Sequence, residues 1–283
     1  MSNIILMVET GADLLPEIKN RYNIQTVPMH VLFGDTSFDD GTFPIEKLYQ
    51  YYEETHLLPT TSGCMPLDFM RAFDRVHELY PDKHILHLAY SAATTCSYQS
   101  AGIAAKGRDY VTSLDTKNLS VGQMAIVAQV AQLLERKPDI LLEEVLLFAQ
   151  TYIDSARMMF IPGDLAYLRA GGRVSNAAYI GAQILHLFPL IEVINGCLLS
   201  TKKYRGRKAR VIEKVVHDYL SKRNPSKEHI WMFYSVGLEE GLKRIAEDTA
   251  RALGYNNFTW GRAGCVVTTH CGPGTFGIGG FDQ

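Results

Sequence analysis

His84-Ile85-Leu86-His87-Leu88-Ala89 is followed, one residue later, by Ser91-Ala92-Ala93-Thr94-Thr95-Cys96-Ser97. The first stretch is a short apolar run and reads as a strand. The second is a hydroxyl-rich loop, and a helical pattern starts near Tyr98. Strand, small polar loop and helix in that order form the unit of an α/β protein. In open α/β sheets the loops at the carboxyl ends of the strands build the ligand crevice. The same order opens the chain: Ile4–Val8, then Glu9-Thr10-Gly11-Ala12-Asp13, then a helix through about Arg21. A second hydroxyl-rich stretch, Pro59-Thr60-Thr61-Ser62-Gly63, precedes a helix running from Pro66 to about Tyr80. Thr and Ser ahead of a proline-started helix form a capping composition. Such a segment offers hydroxyls and helix N-terminal N–H groups together, which suits a carboxylate or phosphate. Its ordinary use is as an N-cap that satisfies its own backbone.

Ile24–Phe33 reads as one strand closed by a Gly34-Asp35 turn, and Pro44 begins a helix to about Glu54. Tyr110–Leu114 is a strand ending at Asp115, followed by helices near Ser120–Arg136 and Asp139–Asp154. Pro162-Gly163, just after Arg157–Ile161, marks the expected domain boundary. Beyond it stand a short helix, Asp164–Ala170, the turn Gly171-Gly172-Arg173-Val174-Ser175, and a helical pattern over Asn176–Leu187. Leu190–Ile194 and Cys197–Lys203 flank Asn195-Gly196, a strong hairpin signal because this pair supplies the positive φ angles of a type I′ turn. A basic run, Lys202 to Lys208, comes next, and in such runs a solvated face is the ordinary reading. Helices near Ala209–Leu220 and Leu238–Leu253 bracket a strand at Ile230–Tyr234. Cys265–Thr269 reads as the final strand, ending in His270-Cys271-Gly272-Pro273-Gly274.

The 283 residues allow one large domain or two, and 47% hydrophobic with 20% charged residues is enough to build a core. A net charge of −2 gives no nucleic-acid footprint. No run of 18 apolar residues exists, so no membrane-spanning helix is expected. The apolar start ends at Glu9, too short for a signal-peptide core, which favours a first strand in a cytoplasmic protein. The five cysteines, Cys64, Cys96, Cys197, Cys265 and Cys271, are odd in number and include no CxxC pair. Neither a disulfide framework nor a structural metal site is expected.

Four segments together resemble the DegV family: Pro59-Thr60-Thr61-Ser62; Ser91 to Ala101, ending in Tyr98-Gln99-Ser100-Ala101; Leu168-Arg169-Ala170-Gly171-Gly172-Arg173-Val174-Ser175; and His270-Cys271-Gly272-Pro273-Gly274. Lys203-Tyr204-Arg205-Gly206 lies between the last two. The resemblance runs over nearly the whole chain. It implies a two-domain α/β protein, here an N-terminal parallel-sheet domain over 1–160 and a C-terminal α/β domain over 161–283 with a more antiparallel sheet. It further implies a non-catalytic carrier that holds one long-chain fatty acid in a tunnel and presents its carboxylate to a separate fatty-acid kinase. On that resemblance Thr61, Thr95 and His270 hold the carboxylate, Ser62, Ser97 and Arg173 stand behind them, and Arg205 meets the kinase. No cofactor other than the bound fatty acid, no metal and no membrane insertion are implied. The chain departs from the family at Glu9-Thr10, where Asp-Ser is usual, and at Thr94-Thr95-Cys96-Ser97, where Leu-Ser-Gly-Thr is usual.

The division of labour in such a site follows from transfer energies. A ~16-carbon tail contributes on the order of 12 kcal/mol gross at about 0.8 kcal/mol per CH₂, much of it offset by association costs. Each hydroxyl bond to a carboxylate contributes about 1.5–3 kcal/mol. The tail therefore dominates affinity and the polar groups set orientation. Candidate tunnel residues lie in Ile180–Leu190 and Phe276–Ile278, where ordinary core is an equal reading. Cys64, Cys96 and Cys271 each stand within three residues of Thr61, Thr95 or His270, so thiols gather near the headgroup if those segments converge. The competing reading is an acyl hydrolase with Cys96 or Thr95 as nucleophile, His270 as base and Asp115 as orienter. No Gly-x-Ser-x-Gly elbow supports it. A phosphate-binding kinase-like domain is disfavoured by the lack of a Gly-x-x-x-x-Gly-Lys-Ser/Thr loop.

Overall fold

The structure, a computed structural model, describes residues 2–174 and 187–283. The expected helix over Asn176–Leu187, apart from Leu187 itself, lies outside the described residues, as do Ser175 and the candidate tunnel residues 180–186. The chain divides into two compact units, 1–154 with 264–266, and 155–263 with 267–283.

In the first unit the order is β1 (Ile4–Glu9), α1 (Pro16–Arg21), β2 (Gln25–Val27), β3 (His30–Phe33), β4 (Thr36–Asp39), α2 (Glu46–Thr55), β5 (Thr60–Ser62), α3 (Pro66–Leu79), β6 (His84–Ala89), α4 (Ser97–Ala104), β7 (Val111–Asp115), α5 (Ser120–Arg136) and α6 (Leu142–Ser155). Four strands form a parallel sheet, β2-β1-β6-β7. Strands buried on both faces read as continuous apolar runs, which is why β1 and β6 were legible. Side chains alternate across a strand. Ile4, Leu6 and Val8 of β1 and Leu86 and Leu88 of β6 accordingly share one core cluster with Val127, Val130 and Leu134 of α5 and Val145 and Ala149 of α6. The odd-numbered residues, including Glu9 and His87, take the opposite face, where the His87 ring packs 4.9 Å from Phe69 of α3.

Three expectations fail here, each for a local reason. Ile24–Phe33 is two strands in two sheets, because Pro28 has no N–H to continue a ladder. Thr60–Ser62 is not a loop: it is β5, paired antiparallel to β3 with Thr61 opposite Val31. Nor do its hydroxyls cap α3, since the Asp68 carboxylate accepts the Met65 N–H at 2.7 Å. Residues 264–266 return to this unit because two carboxylates hold them. Asp13 Oδ1 accepts the Gly264 N–H at 2.8 Å, and Asp40 accepts N–H groups of Cys265 and Val266.

In the second unit follow β8 (Ala156–Ile161), α7 (Leu165–Gly171), β9 (Leu187–Ile194), β10 (Cys197–Arg205), α8 (Lys208–Arg223), β11 (Ile230–Tyr234), α9 (Glu240–Ala252), β12 (Phe258–Arg262), α10 (Cys265–Cys271, of this unit from residue 267) and β13 (Phe276–Phe281). The six-stranded sheet runs β10-β9-β8-β13-β11-β12 and is antiparallel except for β11 with β12. The hairpin forms as expected, with Asn195 at φ 50° and Gly196 at φ 83°. The segment expected as a final strand, Cys265–Thr269, is instead the helix α10, so His270 sits in a helical last turn. A five-residue apolar run does not distinguish a buried strand from a buried helix. Gly272 at φ 74° ends it.

The true last strand, β13, is Phe-Gly-Ile-Gly-Gly-Phe, fully buried in mid-sheet. Its glycines hide it from any propensity reading and are required by its neighbours. A Cβ on Gly277 overlaps the Phe233 ring, and one on Gly279 stands 2.8 Å from the Arg157 carbonyl oxygen. Phe276 and Ile278, candidates for a tunnel, sit in the core cluster with Met232, Tyr219 and Val215. Gly277→Ala is expected to destabilise by about 1–3 kcal/mol through overpacking. Gly241→Ala, in α9 with open space at its Cβ, is expected to be neutral or to stabilise by about 0.5–1 kcal/mol. Urea midpoints of the two variants check this, and equal shifts would refute it.

Candidate functional site

The first-unit site grows from the carboxyl ends of β1, β6 and β7. The chain leaves β6 at Ala89, and every turn of the next loop is held. Tyr90 N–H donates to Glu9 Oε2 at 2.8 Å, Ser91 N–H to the Asn118 carbonyl at 2.9 Å and Ala92 N–H to Asp115 Oδ1 at 3.2 Å. Thr94 closes on the Ser91 carbonyl through both its N–H and its hydroxyl, each at 3.1 Å. At the loop's end the Thr95 and Ser97 hydroxyls stand 3.2 Å apart, where α4 begins.

The second hydroxyl segment arrives from β5. Thr61, half-buried, is two residues before Gly63. The Cys64 N–H donates to Ser97 Oγ at 3.0 Å, joining the two segments. Their approach depends on Gly63, because a Cβ there overlaps Thr95 Oγ1 and stands 2.8 Å from Ser97 Oγ. Ser97 thus bridges the segments, whereas the Ser62 hydroxyl turns onto the Gly63 carbonyl at 3.1 Å.

Beneath them lies polar machinery that the sequence reading missed. Glu9 and His87 are fully buried, with His87 Nε2 3.3 Å from Glu9 Oε1 and His87 Nδ1 3.1 Å from Ser113 Oγ. Gln123 Nε2 donates to the Leu88 carbonyl at 2.9 Å and to Glu9 Oε2 at 3.3 Å. Burial pushes the Glu9 carboxyl up, but the His87 charge and the Tyr90 N–H outweigh it and hold the group below its ordinary value. The available signal was a titratable residue closing one apolar strand run, Glu9, and another inside a second, His87.

His270 and Arg173 belong to the second unit. Arg173 Nη1 donates to the Gly171 carbonyl at 2.7 Å, bracing the turn at Gly172, φ 62°. A Cβ on Gly171 would overlap His270 Nδ1. Burial, with the Arg173 charge second, pushes the His270 imidazole from 6.5 down to about 3. His270 is therefore neutral at pH 7 and is equipped to make a hydrogen bond rather than an ion pair. Arg205 lies on β10, in a groove of about 910 Å³ that also includes Lys203, Lys214, His217, Val211 and Leu253.

The thiols divide between the units. Cys96 is exposed on the Thr95 loop. Cys64 is buried, and burial, then the Glu9 and Asp68 charges, push its thiol well above the ordinary value. Cys271 is buried in the second unit. Thr95 bonds to Ser97 rather than to an imidazole, and Asp115 Oδ1 is occupied by the Ala92 and Lys117 N–H groups. Neither residue is thus arranged as the hydrolase reading requires. Among the described residues no cluster of three or more His, Cys, Asp or Glu side chains is placed to hold a metal ion, and no helix is long and apolar enough to cross a membrane.

The DegV family model, described as uncharacterised protein, matches residues 3–282. A Thermus thermophilus structure described as fatty acid binding of a DegV family protein superposes with a TM-score of 0.88 at 25% identity, covering 99% of each chain. A Thermotoga maritima protein named fatty acid-binding protein is 26% identical, over 97% of this chain and 96% of its own. The Streptococcus pneumoniae fatty acid kinase (Fak) B3 protein, loaded with linoleic acid, gives a TM-score of 0.85 at 17% identity with complete coverage of both chains.

A neutral His270 has a direct consequence for stability. A histidine whose folded value lies below its unfolded value stabilises the fold fully above the unfolded value and loses that contribution as pH falls. The loss is expected between about 6.5 and 3. By NMR its ring signals should not titrate between pH 5 and 8, and a midpoint near 6.5 would refute the assignment. Gly63→Ala is expected to push Thr95 from Ser97, with changed amide shifts over residues 61–64 and 94–97 as the readout.

Proposed function

The chain belongs to the DegV family, its model matching residues 3–282, and from that premise we propose that it binds one long-chain fatty acid and presents the carboxylate to a separate fatty-acid kinase. The observation that carries this reading is the junction of Thr95, Ser97 and the Gly63–Cys64 backbone. It gathers neutral hydroxyls at the carboxyl ends of parallel strands, where α/β sheets take ligands. In the proposal Thr61 and Thr95 hold the carboxylate, with Ser62 and Ser97 behind them. His270, a neutral hydrogen-bonding group backed by Arg173, is kept as a headgroup residue on the resemblance. The protein carries its ligand without chemistry of its own, acts in the cytoplasm, and needs no cofactor.

The kinase belongs to the proposal because one structural relative is described as a fatty acid kinase B protein. Arg205 is the contact proposed for it. Together with Lys203 and Lys214 it gives its groove a cationic wall, and neither Arg205 nor Lys214 makes an ion pair among the described residues.

Native mass spectrometry of the purified chain, followed by denaturing extraction, tests the reading. One fatty acid per chain is expected. A protein that is empty and takes up no added long-chain acid would overturn it. Thr95→Val is expected to weaken binding about tenfold, the effect of losing one charged hydrogen bond, while leaving uptake measurable.

A further inference from the structure

The loop that ends in Thr95 starts at Tyr90, and the Tyr90 N–H is held by a carboxylate that the carrier reading does not use. Glu9 closes β1 on the same sheet face as His87, where both are fully buried. Strand pairing fixes this placement: Met7 stands opposite His87 in the parallel register, and Glu9 is two residues further along the same face. Glu9 Oε2 serves the loop through Tyr90 N–H, while Oε1 faces the His87 imidazole at 3.3 Å. His87 is locked in turn by Ser113 Oγ at 3.1 Å and by the Phe69 ring. Gln123 ties the same Glu9 oxygen to the Leu88 carbonyl, which precedes the loop by two residues.

We infer that Glu9 and His87 are positioning residues for the carboxylate site, fixing the root of the Tyr90–Cys96 loop so that Thr95 meets Gly63 and Ser97. The inference rests on the proposed role of Thr95. A buried ion pair is weak evidence for stability, and its best-attested use is to fix one arrangement among several. Here the arrangement fixed is the loop root. The family resemblance places an aspartate where this chain has Glu9, so the reach to both His87 and the Tyr90 N–H is made by a longer side chain.

A double-mutant cycle on the full chain, stripped of lipid, tests this with cis-parinaric acid as the fluorescent long-chain probe. Glu9→Ala should weaken binding about tenfold. Glu9→Gln, whose carbonyl oxygen still accepts the Tyr90 N–H, should restore it to within about twofold. In the Thr95→Val background, Glu9→Ala should add less than about twofold, because both changes disable the same contact. If Glu9→Ala does not fold, the pair Glu9→Leu with His87→Leu replaces it, since removing both partners together leaves neither one buried without the other. Amide hydrogen exchange gives a readout that needs no ligand: residues 90–97 should exchange at least about tenfold faster in the Glu9 variant, with α5 unchanged. Equal losses in both backgrounds, or unchanged exchange over 90–97, would overturn the inference. A wild-type protein that binds no probe would overturn the carrier reading instead, and loop exchange alone would then decide whether Glu9 holds the loop.

Discussion

Backbone N–H groups that no ladder pairs need other partners, and in the first unit several of those partners are carboxylates. Glu9 takes the Tyr90 N–H, Asp115 those of Ala92 and Lys117, Asp68 that of Met65, and Asp13 that of Gly264. Glu9 and Asp115 stand at the ends of β1 and β7 and hold the chain that follows β6, while Asp68 caps its own helix, α3. Against the opposing effect of full burial, His87 first, and then the Tyr90 N–H, hold the Glu9 carboxyl below its ordinary value. The Ser91–Thr95 segment can leave the sheet as irregular chain because Glu9 and Asp115 take the amides of Tyr90 and Ala92 at its root.

Glycine sets the second constraint. Gly63 lets a backbone approach the Thr95 hydroxyl, and Gly171 lets one approach the His270 ring. In β13 the same absence of a Cβ serves packing alone, against Phe233 and the Arg157 carbonyl. One residue type thus does two jobs, and sequence alone does not tell them apart.

That ambiguity marks how far the chain was legible. Strong local signals read correctly: the β6 run, the loop to Thr95 and α4, the Asn195-Gly196 hairpin, and β11 at Ile230–Tyr234. Segments whose state is set by distant partners did not. β13 looks like loop until Phe233 and Met158 stand beside it. Cys265–Thr269 looks like strand until Asp40 takes its first N–H groups. Thr60–Ser62 looks like a cap until β3 pairs with it and Asp68 takes the cap. The hydroxyl residues were found from composition, but the Glu9–His87 pair was not, because Glu9 reads as the first polar residue after an apolar run and His87 as a lone histidine inside another.

In the proposed function hydroxyls and a neutral imidazole are the groups assigned to the anion, and that assignment has a physical logic. A cation buried beside a carboxylate gains Coulomb energy but must first lose its hydration, and the balance is often near zero. Neutral donors avoid that cost, at about 1.5–3 kcal/mol per bond to a charged acceptor. They also leave the carboxylate's own charge uncompensated by a tight ion pair, so its oxygens stay nucleophilic. A carrier that must hand its ligand's oxygen to a phosphoryl donor is better served by directional, modest bonds than by a salt bridge. Such bonds hold orientation only if the hydroxyls themselves are fixed, and in the first unit that fixing falls to Gly63, Ser97 and the buried Glu9.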